Sequence, residues 1–504
     1  MRDIGSKPVS ARRPRLVVAS NRGPYIFKET PEGLTRVKPV SGLVSAVEPL
    51  LEANGGVWIG WAGRGPEEAA DREDAKHVIP LGDRQYIFRE AFLTEDDIQS
   101  YYHGFANRML WPLCLYFNEK CRFEKENWES YVRVNEKIAR SAVEEAGERD
   151  LIWVHDYHLA LVPELVRREL PGSRIAFFWH IPFPSPDIFR ILPTAESVLK
   201  GILGSDLVGF HIQTYVRNFL SSIETILATP VNIDEGAIWW QGRKVMVKAS
   251  PIGIDFQAFN RTARRKDTIA RAHEIRRNAL SGTGTGKIIL GADRLDYTKG
   301  ILERLLAIER FFEKYPEFQG KVIFIQIAVP SRAEVGDYQE MRRQIEEAVG
   351  RINGRFTREG RIPVHYLYRS LSRRELVAHY LAADVALITP LRDGLNLVAK
   401  EFVASRIDSD GVLILSELAG ASEQLSEALI VNPYDLDEIS DTIRRALEMP
   451  EEERRQRMEA LRKNVEAFDL SWWLEDFISP LMRPDGVSGK TDPRGPRGVA
   501  HDAQ

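Results

Sequence analysis

Two cysteines in 504 residues exclude a disulfide framework. Cys114 and Cys121, seven positions apart in a segment read as helical, would lie roughly 10 Å apart along its axis, too far to bond. They are expected to be buried thiols of a reducing cytosol. An excess of one charge is also lacking, since 69 Lys and Arg face 73 Asp and Glu for a net charge of -4. That balance argues against a dedicated nucleic-acid or membrane-surface binder. No run approaches the ~20 apolar residues that span a bilayer, and the start, MRDIGSKPVSARRPR, is basic without the apolar core of a signal peptide. A cytoplasmic protein with no nucleic-acid or membrane partner is expected, and a homo-oligomer stays open.

Metal-ligand spacing is missing too. DSDGV, Asp408 to Val412, imitates the paired aspartates of metal-dependent enzymes. It sits between the helical NLVAKEFVASR and the strand GVLIL, where an exposed turn is expected rather than the end of a buried strand. SGTGTGKI, Ser281 to Ile288, imitates a phosphate-binding loop but has Ser281 where Gly is needed and Ile288 where Ser or Thr is needed. It also precedes a strand, so it reads as a connector. No other grouping of Asp, Glu, His and Cys has convincing ligand spacing, and no metal is expected.

What is present suits large cores. Hydrophobic residues make up 43% and charged ones 28%, and the length exceeds what one hydrophobic core supports, so two domains are expected. Apolar runs alternate with helical patterns: RLVVAS, DLIWVHD, RIAFFWHIP and LVGFHI, then KIILGAD, KVIFIQIAV, VHYLY, ADVALITP, GVLILSE and ALIVNP. Runs apolar on both faces and separated by helices indicate parallel strands covered on both sides, hence doubly wound α/β domains. Ile301, Leu305, Ile308 and Phe312 fall at helical spacing, with Glu303, Arg304 and Glu309 between them. Domains over 15–250 and 251–465 are expected, with disordered ends at 1–14 and 484–504. The cleft between two such domains is where ligands are expected.

Polar groups gather where strands end, the edge at which open α/β sheets bind ligands. In the first half these are Asn21, Arg22, His155, Asp156, His158 and His180. In the second they are Arg294, Lys299, Arg332, Arg392 and Asp393. Cations beside carboxylates and histidines at one edge suit a ligand with several phosphate charges and sugar hydroxyls. In GADRLDYTKGILERL, Arg294 and Lys299 leave a strand just before a helix whose free N–H groups and dipole favour anions, so side chains and backbone can converge on one diphosphate. PLRDGLNLVAKE is a second anchor, in which Gly394 permits close backbone approach and Glu401 is placed to accept from a ribose.

SNR, WVHDYH, HIPFP, DRLDYTKG, PSR, GRING and TPLRDGLNLVAKE occur in the order and spacing of the trehalose-6-phosphate synthases, retaining glycosyltransferases of family GT20, which the chain resembles from about residue 16 to 480. The resemblance implies two Rossmann-like domains in the GT-B architecture, with a helix in 466–483, near LSWWLEDFI, crossing back to the first domain. It implies metal-independent transfer of glucose from a nucleotide-diphosphate glucose, with UDP-glucose foremost, to glucose 6-phosphate, and no cofactor besides the co-substrate. By matching position, Arg22, Tyr102, Trp111, Asp156 and Arg332 would hold the acceptor, with Trp61 nearby. Arg294 and Lys299 would bind the donor diphosphate and Glu401 its ribose. Leu397 and Val398 would offer backbone groups, within a donor set that takes in Gly394 and Asn396. Asp393 and His180 would contact the transferred glucose, and Gly42 would lie in a loop closing over the donor.

One departure is Ser41 in PVSGL, where the family usually shows paired glycines, and the stretch between Arg22 and Gly42 is longer than in the shortest bacterial members. This bears on donor and acceptor preference more than on reaction class. A glucosylglycerol-phosphate synthase-like enzyme, suggested by NRGPY, and a non-catalytic regulatory subunit are the alternatives. No fused phosphatase domain is expected, and the nucleotide base is left open.

Overall fold

The computed structural model describes residues 15–30, 33–37, 42–65, 74–81, 84–147, 150–280, 286–330 and 336–482. The chain divides into two compact units. Unit 1 comprises Met1–Trp179, Phe183–Ala249 and Glu475–Gln504, and unit 2 comprises His180–Pro182 and Ser250–Leu474.

Unit 1 holds the strands β1 Leu16–Arg22, β2 Ile26–Thr30, β3 Gly33–Val37, β4 Gly56–Trp61, β5 Asp74–Leu81, β6 Arg84–Ala91, β7 Leu151–His155, β8 Arg174–Phe178, β9 Leu207–Phe210, β10 Val231–Asn232, β11 Ala237–Trp240 and β12 Arg243–Ala249. Ten of them form one sheet in the order β10-β11-β12-β9-β8-β7-β1-β4-β6-β5, while β2 and β3 make a separate hairpin. Pairing from β12 through to β6 is parallel, and β5, β11 and β10 add antiparallel edges. Numbered along the chain, the parallel strands run 3-2-1-4-5-6-7 from β6 to β12, so the order reverses between β1 and β7. Leu16, Val17 and Val18 of β1 and Leu151, Ile152 and Val154 of β7 are 0% exposed. Such two-faced burial, about 1.5–3 kcal/mol per large aliphatic side chain, is why these runs are apolar throughout rather than alternating.

Unit 2 holds β13 Lys287–Arg294, β14 Val322–Val329, β15 Val364–Tyr368, β16 Val385–Ile388, β17 Val412–Ser416 and β18 Leu429–Val431. All are parallel, in the order β15-β14-β13-β16-β17-β18, which reads 3-2-1-4-5-6 and reverses between β13 and β16. Both units therefore carry the Rossmann strand order, with a crevice expected at the carboxyl ends of the central pair.

The helix Ile301–Lys314 packs Ile301, Leu305, Ile308 and Phe312 into the core of unit 2. Two of its charged residues are buried as well. Arg304 is 0% and Glu309 8% exposed, because each meets a partner from another element: Asp293 for Arg304, and Arg351 and Arg355 for Glu309. The reading of Cys114 and Cys121 as residents of one helix is also corrected. Cys114 ends the helix Trp111–Cys114, Tyr116 turns to φ 66°, and Cys121 follows the 3-10 turn Asn118–Lys120. A left-handed residue cannot continue an α-helix. Both thiols are free, and burial pushes Cys114 up and Cys121 to about 11. The DSDGV segment is a turn in which Asp408 pairs with Arg406 and Asp410 with Arg454. Among the described residues no helix is long and apolar enough to cross a membrane.

Candidate active site

In unit 2 the chain leaves β13 through an exposed Arg294 and turns at once. Asp296, only 1% exposed, folds back instead of facing solvent: it caps the 3-10 turn Tyr297–Lys299 by accepting from Thr298 N and Oγ1 at 3.1 and 2.8 Å, and it accepts from Tyr338 Oη at 3.1 Å. The carbonyl of Thr298 accepts from the backbone N–H of Leu391 at 2.9 Å, tying this turn to the one after β16. Gly300 ends the turn at φ 62°, where a Cβ would stand 2.6 Å from the Thr389 carbonyl, so only glycine fits. Helix Ile301–Lys314 starts directly behind it.

From the two turns, Lys299 and Asp393 meet across the point of order reversal, with Lys299 Nζ donating to Asp393 Oδ2 at 2.6 Å. Asn396 Nδ2 donates to the same oxygen at 3.0 Å, while Asn396 Oδ1 accepts from Ala399 N and so caps the helix Leu397–Ser405. Asn396 holds φ 79°, an uncommon conformation for a residue with a side chain, and the kind of strain that collects at functional sites. Leu397 and Val398 are the first two residues of that helix, whose N–H groups have no intrahelical acceptor. Glu401, one turn on, accepts from Tyr380 Oη at 3.0 Å, and burial raises its carboxyl to about 7. Gly394 lies against the backbone of His180, where a Cβ would be 2.5 Å from the His180 carbonyl. Desolvation lowers the His180 imidazole to about 3, so at neutral pH it is an uncharged hydrogen-bonding group.

In unit 1 the order reverses between β1 and β7, and Arg22 is the last residue of β1. Its guanidinium carbon lies 4.3 Å from the Trp61 ring centre and 5.5 Å from that of Tyr102. Ser20 Oγ, which accepts from Trp58 Nε1, donates to the Arg22 carbonyl at 2.7 Å and fixes the strand end. Tyr102 stacks on His158 with centres 5.8 Å apart. It is carried by a π-helix, Ile98–Leu110, whose Tyr101 hydroxyl donates to Asn21 Oδ1 at 2.9 Å. Asp156, just after β7, is held at φ 74° with its N–H on the Phe178 carbonyl and its Oδ1 accepting from Tyr157 N. Three aromatic rings, a guanidinium and a strained carboxylate can bind a sugar's hydroxyls and faces together with an anion.

The remaining sequence-selected residues are placed as follows. Trp111 is 7% exposed with its ring 6.1 Å from that of Tyr157, a wall behind Tyr157. His155, 0% exposed, is a core histidine against the Trp153 ring, and Asn21 is buried beneath Tyr101. Gly42 opens the helix Gly42–Asn54. Arg332 and Ser41 lie outside the described residues. Sequence reasoning missed Arg304 and Tyr380, since one reads as a single charge among the apolar positions of its helix and the other falls in an ordinary amphipathic stretch. Among the described residues no three His, Cys, Asp or Glu side chains are placed to hold a metal ion.

Residues 14–483 match the family described as Glycosyltransferase family 20. The chain is 40% identical over 478 residues to an alpha,alpha-trehalose-phosphate synthase [UDP-forming] of Dictyostelium discoideum, covering 95% of this chain and 63% of that relative's length. Among solved structures it is similar to one from E. coli, described as trehalose-6-phosphate bound with UDP-2-fluoro glucose, with TM-score 0.85, 36% identity and coverage of 93% of this chain and 99% of that one. It is also similar to an alpha,alpha-trehalose-phosphate synthase (UDP-forming) from Burkholderia xenovorans in complex with glucose-6-phosphate, with TM-score 0.83, 34% identity and coverage of 93% and 100%.

Proposed function

We propose, from the premise that this chain belongs to glycosyltransferase family 20, that it moves glucose from UDP-glucose to glucose 6-phosphate with retention, releasing UDP and forming trehalose 6-phosphate. The fold is the GT-B architecture, with a Rossmann strand order in each unit. The observation that carries the reading is Asp393, held by Lys299 and Asn396 at the order reversal of unit 2 and flanked by the first turns of two helices. The two solved relatives, one bound with UDP-2-fluoro glucose and one with glucose-6-phosphate, support the choice of donor and acceptor.

In this reading Arg294, Lys299 and the N–H groups of Leu397 and Val398 take the diphosphate, and Glu401 takes ribose hydroxyls. Lys299 carries three donors, so it can keep Asp393 and still reach a phosphate oxygen. Asp393 and the neutral imidazole of His180 hold glucose hydroxyls, beside the backbone of Gly394. As the bond from C1 to the diphosphate breaks, negative charge grows on the leaving phosphate, and the cations and helix N-termini stabilise it, standing where a divalent ion acts at other diphosphate sites. The new bond joins C1 to the anomeric oxygen of the acceptor, whose proton leaves with UDP. Arg22, Trp61, Tyr102 and Asp156, backed by Trp111, hold the acceptor, with Arg332 as a second phosphate ligand and Gly42, at the start of the helix Gly42–Asn54, beside the donor.

The test incubates the purified protein with UDP-, ADP- or GDP-glucose against glucose 6-phosphate or glycerol 3-phosphate, with and without chelator, and reads products by phosphorus NMR. UDP and trehalose 6-phosphate are expected with chelator present. Transfer to glycerol 3-phosphate alone would overturn the acceptor, and activity that vanishes on chelation and returns with magnesium would overturn the metal-free chemistry.

A further inference from the structure

Among the described residues Arg304 is the one arginine that ranks with the largest fully buried side chains, with 0% of its surface exposed. It sits on an otherwise apolar helix face between Ile301 and Leu305, where a leucine would meet the packing need. Its guanidinium donates instead to four acceptors on four segments. Nη1 reaches Asp293 Oδ2 on β13 at 2.5 Å and Gln326 Oε1 on β14 at 3.0 Å, Nε reaches Thr389 Oγ1 after β16 at 3.1 Å, and Nη2 reaches the Lys299 carbonyl at 3.2 Å. Gln326 is itself oriented, with Nε2 on the Ile327 carbonyl at 2.9 Å.

We propose that Arg304 is a positioning residue for the donor site: without touching substrate, it fixes the turns that carry Lys299 and Asp393 relative to one another. The proposal rests on the donor-site reading above. A guanidinium present only to neutralise Asp293 needs one partner. The other three contacts go to Gln326 within β14, to Thr389 just after β16 and to the backbone of Lys299, which ties the turns carrying Lys299 and Asp393 to the sheet beneath them. A lysine, one point donor on a flexible stem, cannot span four acceptors in a plane as the rigid fork does. A buried pair often contributes little net stability against an apolar replacement of both partners, so geometry is the better account of a charge buried here.

The test compares Asp293→Asn, the double variant Asp293→Asn with Arg304→Met, and Gly291→Ala. The first keeps the hydrogen bond to Arg304 and is expected to keep turnover within about threefold, since a neutral acceptor still orients the fork. The double variant leaves no buried charge unpaired and is expected to melt near the parent. Its kcat should nevertheless fall, and its calorimetric Kd for UDP rise, on the order of 10- to 100-fold through misplacement of Lys299 and Asp393, while KM for glucose 6-phosphate stays put. Gly291→Ala approaches the fork from beneath, because a Cβ there would stand 2.4 Å from Gln326 Oε1 and 2.8 Å from Arg304 Nη1. It should reproduce the loss even if the double variant fails to fold. Folded variants that bind UDP and turn over like an active parent would overturn the role of Arg304 alone. A parent that neither binds UDP nor transfers glucose would overturn this proposal together with the donor-site reading.

Discussion

Asn396→Gly and Asn396→Ala separate the helix cap that Asn396 makes from the hydrogen bond it gives Asp393. The residue accepts from Ala399 N at 3.1 Å, donates to Asp393 Oδ2 at 3.0 Å and holds φ 79°. Glycine adopts that φ without strain and replaces a polar cap at a cost of only a few tenths of a kcal/mol, so Asn396→Gly should melt within about 1 to 2 °C of the parent. Alanine loses the cap, about 0.5–2 kcal/mol, and must hold a left-handed conformation at about 1–2 kcal/mol more. A loss of about 1.5–4 kcal/mol corresponds to roughly 3 to 16 °C at 2–4 °C per kcal/mol for a domain of this size. Activity should not follow stability. Both variants remove one hydrogen bond to a charged carboxylate, worth about 1.5–3 kcal/mol, so both should lose roughly 10- to 150-fold in kcat/KM for the donor. Thermal melts read beside steady-state rates of UDP release check this. If Asn396→Gly kept parental kcat/KM while Asn396→Ala lost it in proportion to its lower melting point, Asn396 would be a cap and nothing more.

Glu401, raised to about 7 by burial, should make donor affinity pH-dependent. The carboxylate accepts from ribose hydroxyls more strongly than the protonated acid, so donor KM should rise as pH falls from 8 to 6, and Glu401→Gln should flatten the profile. A parent with flat donor KM over that range would refute the role. The stability consequence has a definite sign: between the ordinary glutamate value of 4.5 and about 7 the unfolded chain binds fewer protons than the folded one, so this group lowers stability as pH rises through that window. Asp393→Ala should lower kcat and donor kcat/KM together, the pattern of an interaction made chiefly in the transition state, and a rise in donor KM alone would make Asp393 a passive binding group. Arg22→Lys keeps the charge but loses the planar fork stacked between Trp61 and Tyr102. It should raise KM for glucose 6-phosphate at least several-fold, and an unchanged acceptor KM would remove Arg22 from the acceptor site.

The amino-acid sequence by itself determined the architecture and the strand-end turns in which the candidate site was sought. Runs such as IILGA and LIWV are apolar on every position because parallel strands are buried on both faces, and that signal needs no partner to be read. The turns after them could be found for the same reason, since polar residues that interrupt such runs stand at sheet edges. Tertiary structure alone decided which residue meets which. Periodicity showed Arg304 and Glu309 only as charged residues among apolar positions, yet both are buried, because partners from strands and helices 11 to 46 residues away in sequence neutralise them. The same holds for Asp296, which caps its own turn, and for Asn396, whose cap and hold on Asp393 depend on a backbone at φ 79°. Trp111 was chosen by matching position and His155 for its place at a strand end, and packing put one behind Tyr157 and the other against Trp153. A spacing along the chain records which face a side chain leaves from; whether it then finds water, a ligand or an opposite charge is settled by the segments that fold against that face.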